Sequence, residues 1–513
     1  MKTLFVILSL VIRISTQGDF DSMGQNLIGK IRSGEKDISV QILPGVYAFR
    51  ENHLDLSQVN EPDVSITISG DGATIRAEGG IPQALDPKIG YISLSGGNVD
   101  PWGPFYSLRR QVDILSKDTK ECRIRWDETD FVPDKGTCPR YVRITRWYLS
   151  SVYKVTRMDD KYLYFIADDL DKSFYLGWNV NDDYHYGGSF PRFSVLPAGV
   201  PDIPDLRECR ATRFLRLWYG THLKSVTLSG LRFLGNARDG LTGLLDFMSP
   251  ECECLVKDCR FEGMRSARVI SVGNTNSVSI EECVFNDIYE DGVNASHSSV
   301  GTRVYRCRFE RCGLGMVNSF CTTGSGTDFH VAYNTFLDFG YSAIGLGYGY
   351  LNEHKHEISA IAEHNQLTYS TEWAAHPEQH CLMDSGAIYV STQNDRTIIR
   401  NNQILSYTGM KGNRGIFCDD GAYNLQIYGN TILGINNDYS IDSWRCKRVE
   451  RDPASKVQRT NYNIRIYDNV VNAPILFEPR DEEPNGCYLG DNPFRQGAEK
   501  PSLLDRIKAF FSN

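Results

Sequence analysis

A short pattern recurs through the second half of the chain at a spacing few folds accommodate. Asp258-Cys259-Arg260-Phe261 is followed by Glu282-Cys283-Val284-Phe285 and Arg306-Cys307-Arg308-Phe309, with the cysteines 24 residues apart. The pattern continues with Asn in the Cys place, at Asn334, Asn365, Asn402, Asn430 and Asn469. An apolar residue lies 14 positions upstream in five coils, from Leu245, Val269, Val293, Ile388 and Ile416. From Met316, Ile344 and Ile441 the interval widens to 18, 21 and 28. Constant strands separated by variable loops are the signature of a solenoid. A coil of about 24 residues is too short for the common helical repeats. Its apolar positions alternate by two, as in Ile416 and Cys418, which is the period of a strand. The expected fold is all-β, a right-handed parallel β-helix. Leu245, Val269, Val293, Met316, Ile344, Ile388, Ile416 and Ile441 should stack in one interior ladder. The recurring Asn should form a buried amide ladder, although ordinary turn residues would read the same way. The Cys of the series read as buried thiols. A disulfide between neighbouring rungs also fits the strand spacing.

The repeat does not run through the whole of the 513 residues. Residues 1–18 read as an export signal: Lys2 precedes the apolar run Leu4–Ile12, Arg13 stands at its edge, and small residues precede Asp19. The run is too short to span a bilayer, so a secreted or periplasmic protein without a membrane span is expected. Fourteen Cys and no CxxC pair fit an oxidising compartment and give no zinc spacing. No cofactor and no metal are expected. Residues 19–80 open the β-helix, with the alternating run Ser65–Ile75. Residues 81–220 break the repeat and read as an inserted antiparallel β domain, with a hairpin around Met158-Asp159-Asp160. Its Tyr184-His185-Tyr186 reads equally as a sugar-binding wall or as domain core. Residues 221–480 are the main solenoid, and residues 481–513 a tail that caps the stack. The net charge of −9 gives no support to a nucleic-acid partner.

If Ile416 and Cys418 point inward, Phe417 and Asp419 point outward. The Phe417 level then reads Asp246, Ile270, Asn294, Val317, Gly345, Tyr389, Phe417 and Asp442. The Asp419 level runs from Met248 through Ser391 to Asp419 and Trp444. Neither row contains Lys or Arg, which suits an uncharged sugar. Arg414 lies near by. Two Asp-Gly-type motifs fall on consecutive coils, Asp384-Ser385-Gly386-Ala387-Ile388-Tyr389 and Arg414-Gly415-Ile416-Phe417-Cys418-Asp419-Asp420-Gly421. Glycoside hydrolysis needs two carboxyl groups, whereas turn chemistry alone also favours Asp-Gly. In extended strands Asp384 and Asp419 would lie too far apart to share a substrate atom, so a bend at Gly386 is required. Long loops flank these coils. They carry Trp373 and His380 as further substrate contacts, and His354 and His356, which lack a third metal ligand.

The paired motifs, followed by Asn424-Leu425-Gln426-Ile427-Tyr428-Gly429-Asn430, resemble those of β-helix glycoside hydrolases of the pectate-lyase-like superfamily, in the branch with fucosidase and xylanase members. The resemblance covers about residues 380–445. It implies hydrolysis of a glycosidic bond with Asp384 and Asp419 or Asp420 as catalytic carboxyls. His380, Tyr389, Phe417, Asn294, Asp246, Arg414, Trp444 and Trp373 are the expected substrate contacts. A polysaccharide lyase or a non-catalytic glycan-binding solenoid on the same fold are the competing expectations.

Overall fold

Among the described residues a typical coil contributes one strand to each of three parallel sheets, as Gly243–Met248, Glu251–Lys257 and Arg260–Glu262 do. The protein is a right-handed parallel β-helix in this computed structural model. The model describes residues 10–49, 52–77, 91–92, 112–116, 118–125, 138, 141–146, 149–167, 192–196, 213–235, 243–248, 251–264, 268–274, 277–288, 290–296, 299–313, 319–347, 358–375, 385–391, 396–408, 413–419, 422–435, 439–443, 462–477 and 486–495. Among these, sheet I has 13 strands, and sheets II and III have 11 each. Sheet III holds Gly243–Met248, sheet I Glu251–Lys257 and sheet II Arg260–Glu262.

The interior ladder of sheet III runs Leu215, Leu245, Ile270, Val293, Thr322, Ile344, Ile388, Ile416, Ile441. Two members differ from the sequence expectation. Ile270, not Val269, pairs with Leu245, because Val269 and Ile270 are both fully buried and alternation cannot choose between them. Thr322 holds the rung expected for Met316, a residue outside the described set; a buried polar rung carries no hydrophobic signal. Leu244 with Leu245, Ala343 with Ile344, and Ala387 with Ile388 are likewise adjacent pairs in one core. Two successive buried residues break the strict alternation at the start of each of these strands.

Between sheets I and II the turn has a fixed grammar. The residue before each ladder position is left-handed: Asp258, Glu282, Arg306, Tyr333, His364, Asn401 and Asp468 have φ between 51° and 58°. That conformation costs a non-glycine residue about 1 kcal/mol, offset by the hydrogen bonds that the ladder side chain makes. Asn334, Asn365, Asn402, Asn430 and Asn469 are buried. Each Oδ1 accepts the backbone N–H of the preceding rung, and each Nδ2 donates to a carbonyl one coil back. Asn492 continues the series. The Cys rungs do half of this work: the thiols of Cys283 and Cys307 donate to Val256 O and Ile280 O, each at 3.5 Å. Cys259, Cys283 and Cys307 are free thiols. Two residues on, Phe233, Phe261, Phe285, Phe309 and Phe336 stack face to face, centroids 4.6 to 5.2 Å apart.

The antiparallel insertion is a seven-stranded sheet between Tyr91 and Leu196, with Leu149–Met158 and Tyr162–Ile166 as its hairpin. The stack resumes at Leu215–Leu217, which pairs with Leu54–Asp55 on one side and with Gly243–Met248 on the other. Tyr184–Tyr186 lie outside the described residues, as do 496–513 of the expected cap. At the other end, the helix Met23–Arg32 buries Met23, Leu27 and Ile31 against the core.

Part of the run read as an export signal is built into the stack. Leu10–Ile14 is a strand paired in parallel from Leu10 with Ile38 to Ile14 with Ile42. The alternation exposes Arg13 and buries Ile14, which accounts for a charge at the edge of an apolar run. Thr16 and Asp19 form a capping box on the helix Gln17–Asp21. The Gln17 amide exchanges two hydrogen bonds with the backbone of Ala48.

Candidate functional site

The outward face of sheet III is a set of rows parallel to the helix axis. One row, read from the strand register, is Arg216, Asp246, Ser271, Asn294, Thr323, Gly345, Tyr389, Phe417, Asp442. Ser271 and Thr323 replace the expected Ile270 and Val317, for the phase reason given above. The next row is Trp218, Met248, Gly273, Ser296, Ser325, Gly347, Ser391, Asp419, aligned by the register and by N–H donation from each of the last five to the previous strand. The expectation that these rows lack Arg fails at their start. Arg216 stands one rung before Asp246, because the stack resumes earlier than residue 221.

At the C-terminal end of the face, Tyr389, Arg414, Phe417 and Asp419 come together on two adjacent strands. The Tyr389 hydroxyl donates to Asp419 Oδ2 at 2.5 Å, and the Asp419 N–H donates to Val390 O at 2.8 Å. Asp419 therefore sits where the strand ends, half-buried, with its carboxylate oriented by a phenol. Arg414 Nε donates to the buried Asp442 at 2.8 Å, and its guanidinium lies 3.9 Å from the Phe417 ring centroid. Phe320, Tyr341, Tyr389 and Phe417 form an aromatic cluster separate from the main core. Phe417 is 2% exposed and packed under Arg414, so its ring is filled rather than open to a sugar. In this region the structure gives Asp442 a structural partner that sequence reading missed.

Asp246 and Asn294 stand toward the other end, with Asp246 six strands from Asp419, roughly 29 Å along the axis. Trp218 Nε1 donates to Asp246 Oδ2 at 2.9 Å, and Arg213 Nε is 3.4 Å from the same oxygen. Burial raises the Asp246 pKa, opposed by Trp218 and by Arg213, Arg216 and Arg268. Arg216 lies 3.8 Å from the Trp218 ring centroid and donates to Asp55 at 3.1 Å. Asp291 is pushed up to about 6 by burial, opposed by the Phe320 N–H at 2.8 Å, by Arg268 and by the Asn294 amide at 2.6 Å. A signal for Trp218 was present. Leu215-Arg216-Leu217-Trp218 repeats the spacing of Ile416-Phe417-Cys418-Asp419, but lay within the stretch assigned to the insertion.

Trp373 is drawn away from this face. It is 6% exposed, joins the core and meets Tyr369 edge-on at 5.6 Å. Asp384, Asp420, His380 and Trp444 lie outside the described residues, as do His354 and His356. Their neighbour Ser385 is buried, its hydroxyl 2.9 Å from that of Tyr407, just before the strand Gly386–Val390. Among the described residues no group of three or more His, Cys, Asp or Glu is placed to hold a metal ion. No described helix is long and apolar enough to cross a membrane.

No protein-family description and no curated protein sequence matches the chain. Among solved structures, it is similar to a glycoside hydrolase at 10% identity and a TM-score of 0.42, covering 97% of this chain and 98% of that one. It is also similar to the A-module of the Azotobacter vinelandii mannuronan C-5 epimerase AlgE4, at 12% identity and a TM-score of 0.39, covering 94% and 92%. A family 28 exopolygalacturonase of Yersinia enterocolitica matches at 12% identity and a TM-score of 0.33, over 95% and 78%. Nothing about the site rests on these likenesses.

Proposed function

We propose that this protein is an exported glycoside hydrolase that binds a glycan on the outward face of sheet III and cleaves a glycosidic bond beside Asp419. The observation that carries the reading is the Tyr389–Asp419 pair. The Tyr389 hydroxyl orients the Asp419 carboxyl at the strand end, where it is half-exposed. A positioned carboxyl of this kind serves as general acid, base or nucleophile. Asp384 and Asp420, from the neighbouring motif and the adjacent position, are the proposed second carboxyl. A gap of about 5–5.5 Å between the two would give retention of configuration, and one of about 6.5–9.5 Å would give inversion.

The test is a polysaccharide panel scored for new reducing ends, followed by Asp419→Asn, Asp384→Asn and Asp420→Asn on the fastest substrate. Asp419→Asn lowers kcat by about a thousandfold or more, while the melting temperature stays near wild type. Turnover near wild type in all three variants moves the site elsewhere. Asp442→Asn would also disturb this end of the face, because it leaves the guanidinium of Arg414 facing a neutral amide. A second reading, a lyase acting on uronate polysaccharides, has its own observation. Arg216 stands in the outward row, and Arg268 is near enough to act on both Asp246 and Asp291. Release of unsaturated products absorbing in the ultraviolet would select it over hydrolysis.

A further inference from the structure

We infer that Cys252 and Cys254 form a binding site for a soft cation that takes two thiolates in line, on sheet I and apart from the proposed hydrolase site on sheet III. Both residues lie on the strand Glu251–Lys257, whose alternation puts them on one face. Cys254 is 3% exposed and belongs to the core, whereas Cys252 is half-buried and packs at the core's margin. Their Sγ atoms are in contact, 3.4 Å apart. Cys259, Cys283 and Cys307 also follow one another through the stack, but all three are buried and offer no entry from solvent. The pair at Cys252 joins a closed inner thiol to one that solvent reaches.

A close thiol pair has two chemical uses, and the backbone chooses between them. A disulfide needs its Cβ atoms about 3.5–4.5 Å apart. Residues two apart on one face of a parallel strand stand about 6.6 Å apart, so that bond would pull the strand out of its extended form. A cation between the sulfurs makes no such demand. At about 2.3 Å for each metal–sulfur bond, two thiolates across a linear centre are about 4.6 Å apart. The two side chains reach that span by swinging out of their present contact, with the strand unmoved. The number of donors then selects the metal. Among the described residues no group of three or more His, Cys, Asp or Glu is placed to hold an ion, so zinc, which takes four ligands, is poorly served. A soft cation of the copper(I) or silver(I) type prefers thiolate and is satisfied by two of them. Contact with Cys252, and then burial, hold the Cys254 thiol well above its ordinary value. Its proton therefore leaves only when the cation displaces it. The exchange balances as one cation in and two thiol protons out, with no change of oxidation state.

Silver(I) alone is the probe, added as one equivalent to the reduced full-length chain in chloride-free buffer, with free histidine as competitor. Alkylation of Cys252 in the folded protein, read by peptide mass, reports the site. The metal-free chain is alkylated at Cys252, and silver(I) protects it while two protons are released. Cys254→Ala and Cys252→Ser each weaken silver(I) binding at least about a hundredfold and keep the melting temperature of the metal-free protein near wild type. Cys487→Ser, at another half-buried thiol, leaves the protection of Cys252 unchanged. Zinc(II) at the same concentration gives no protection. Protection that survives Cys254→Ala shows an adduct of one thiol and overturns the chelate, and equal protection by zinc(II) overturns the two-coordinate assignment. Prompt closure of a Cys252–Cys254 disulfide in the folded chain, on treatment with hydroxyethyl disulfide, would show that the strand yields and would make the pair a redox couple instead. Failure of Cys252 to alkylate without metal removes the entry route and the proposal with it. Turnover is not a readout, so each of these results leaves the Asp419 reading where it stands.

Discussion

Asn402 offers a way to weigh the amide ladder. Its side chain is fully buried and makes four hydrogen bonds. Oδ1 accepts from Asn365 N at 3.1 Å and from Asn365 Nδ2 at 2.9 Å, and Nδ2 donates to Ala362 O at 2.9 Å and to Asn430 Oδ1 at 3.0 Å. Asn402→Ala removes all four and leaves the Asn365 N–H without its side-chain acceptor and Ala362 O without its side-chain donor, both out of reach of water. At a net value of about 1 kcal/mol each, the loss is about 4 kcal/mol. Asn402→Cys restores one donor of the four bonds, in the manner of Cys283 and Cys307, so about a quarter of the loss should return. Asn402→Asp is worse than alanine, because a carboxylate accepts but cannot donate to the two oxygens and carries a buried charge. Native-state hydrogen exchange of the Asn365 amide reads the effect locally, and Asn402→Ala lowers its protection by about three orders of magnitude. A fall of less than about fivefold, with an unchanged denaturation midpoint, would refute the assignment of ladder stability to these side-chain bonds.

Other outcomes rest on single features. Burial holds the Asp291 carboxyl at about 6, above its ordinary value of 3.8. A carboxyl raised in the folded state stabilises the fold fully below about pH 3.8, and that contribution is lost as pH rises through about 6. Asp291→Asn therefore flattens the curve of stability against pH between about 4 and 6. Asp338, which is also held at about 6, and Asp246, raised by burial, contribute to the slope left over; an unaltered curve would deny Asp291 its buried state. Removal of residues 1–18 strips Leu10–Ile14 from sheet I and the Thr16 cap from the first helix. The shortened chain should melt lower than the full one, and identical melting would show that this strand carries no stability. Chelation with EDTA leaves turnover unchanged, and loss restored by one particular divalent ion would overturn the expectation of a metal-free site.

The repeat was legible because Cys259, Cys283 and Cys307 keep one spacing, and because the later Asn residues take the same turn position. Physical demand explains why: the left-handed residue before each ladder position presents backbone groups that only a side chain reaching back one coil can satisfy. The phase of sheet III was harder to read. Val269 and Ile270 are both buried, and Thr322 is a polar rung, so alternation alone put Ile270 outside and Met316 inside. Asp246, Asn294, Tyr389, Phe417 and Asp442 were nevertheless placed on the correct outward row. What a side chain does once it faces outward is not carried by period. Phe417 reads as a sugar platform in sequence and lies under Arg414 in space, while Trp373, from a loop, is core. Leu10–Ile14 shows the same ambiguity, since a short apolar run serves a leader and a strand alike, and only Arg13 distinguishes them.

The seam where the insertion enters the stack has a consequence for how the chain reaches its native state. Successive rungs of the main solenoid join residues a few tens apart, as Phe261 joins Phe285. Across the seam Ile66 must find Val226, and Asp55 must find Arg216. Closing a loop of about 160 residues in place of about 24 costs roughly 1.7 kcal/mol more in chain entropy. The opening coils, although synthesised first, therefore have no template to dock on until the insertion is complete and the strand His222–Ser229 has formed. Until then Asn60–Ser69 presents a bare edge beside Asp37–Ile42, where pairing with another copy of the chain competes with the proper rung. Ile92 and Tyr91 pair with Phe193 and Ser194, so an insertion that folds by itself would hold its two ends close together and shorten that interval.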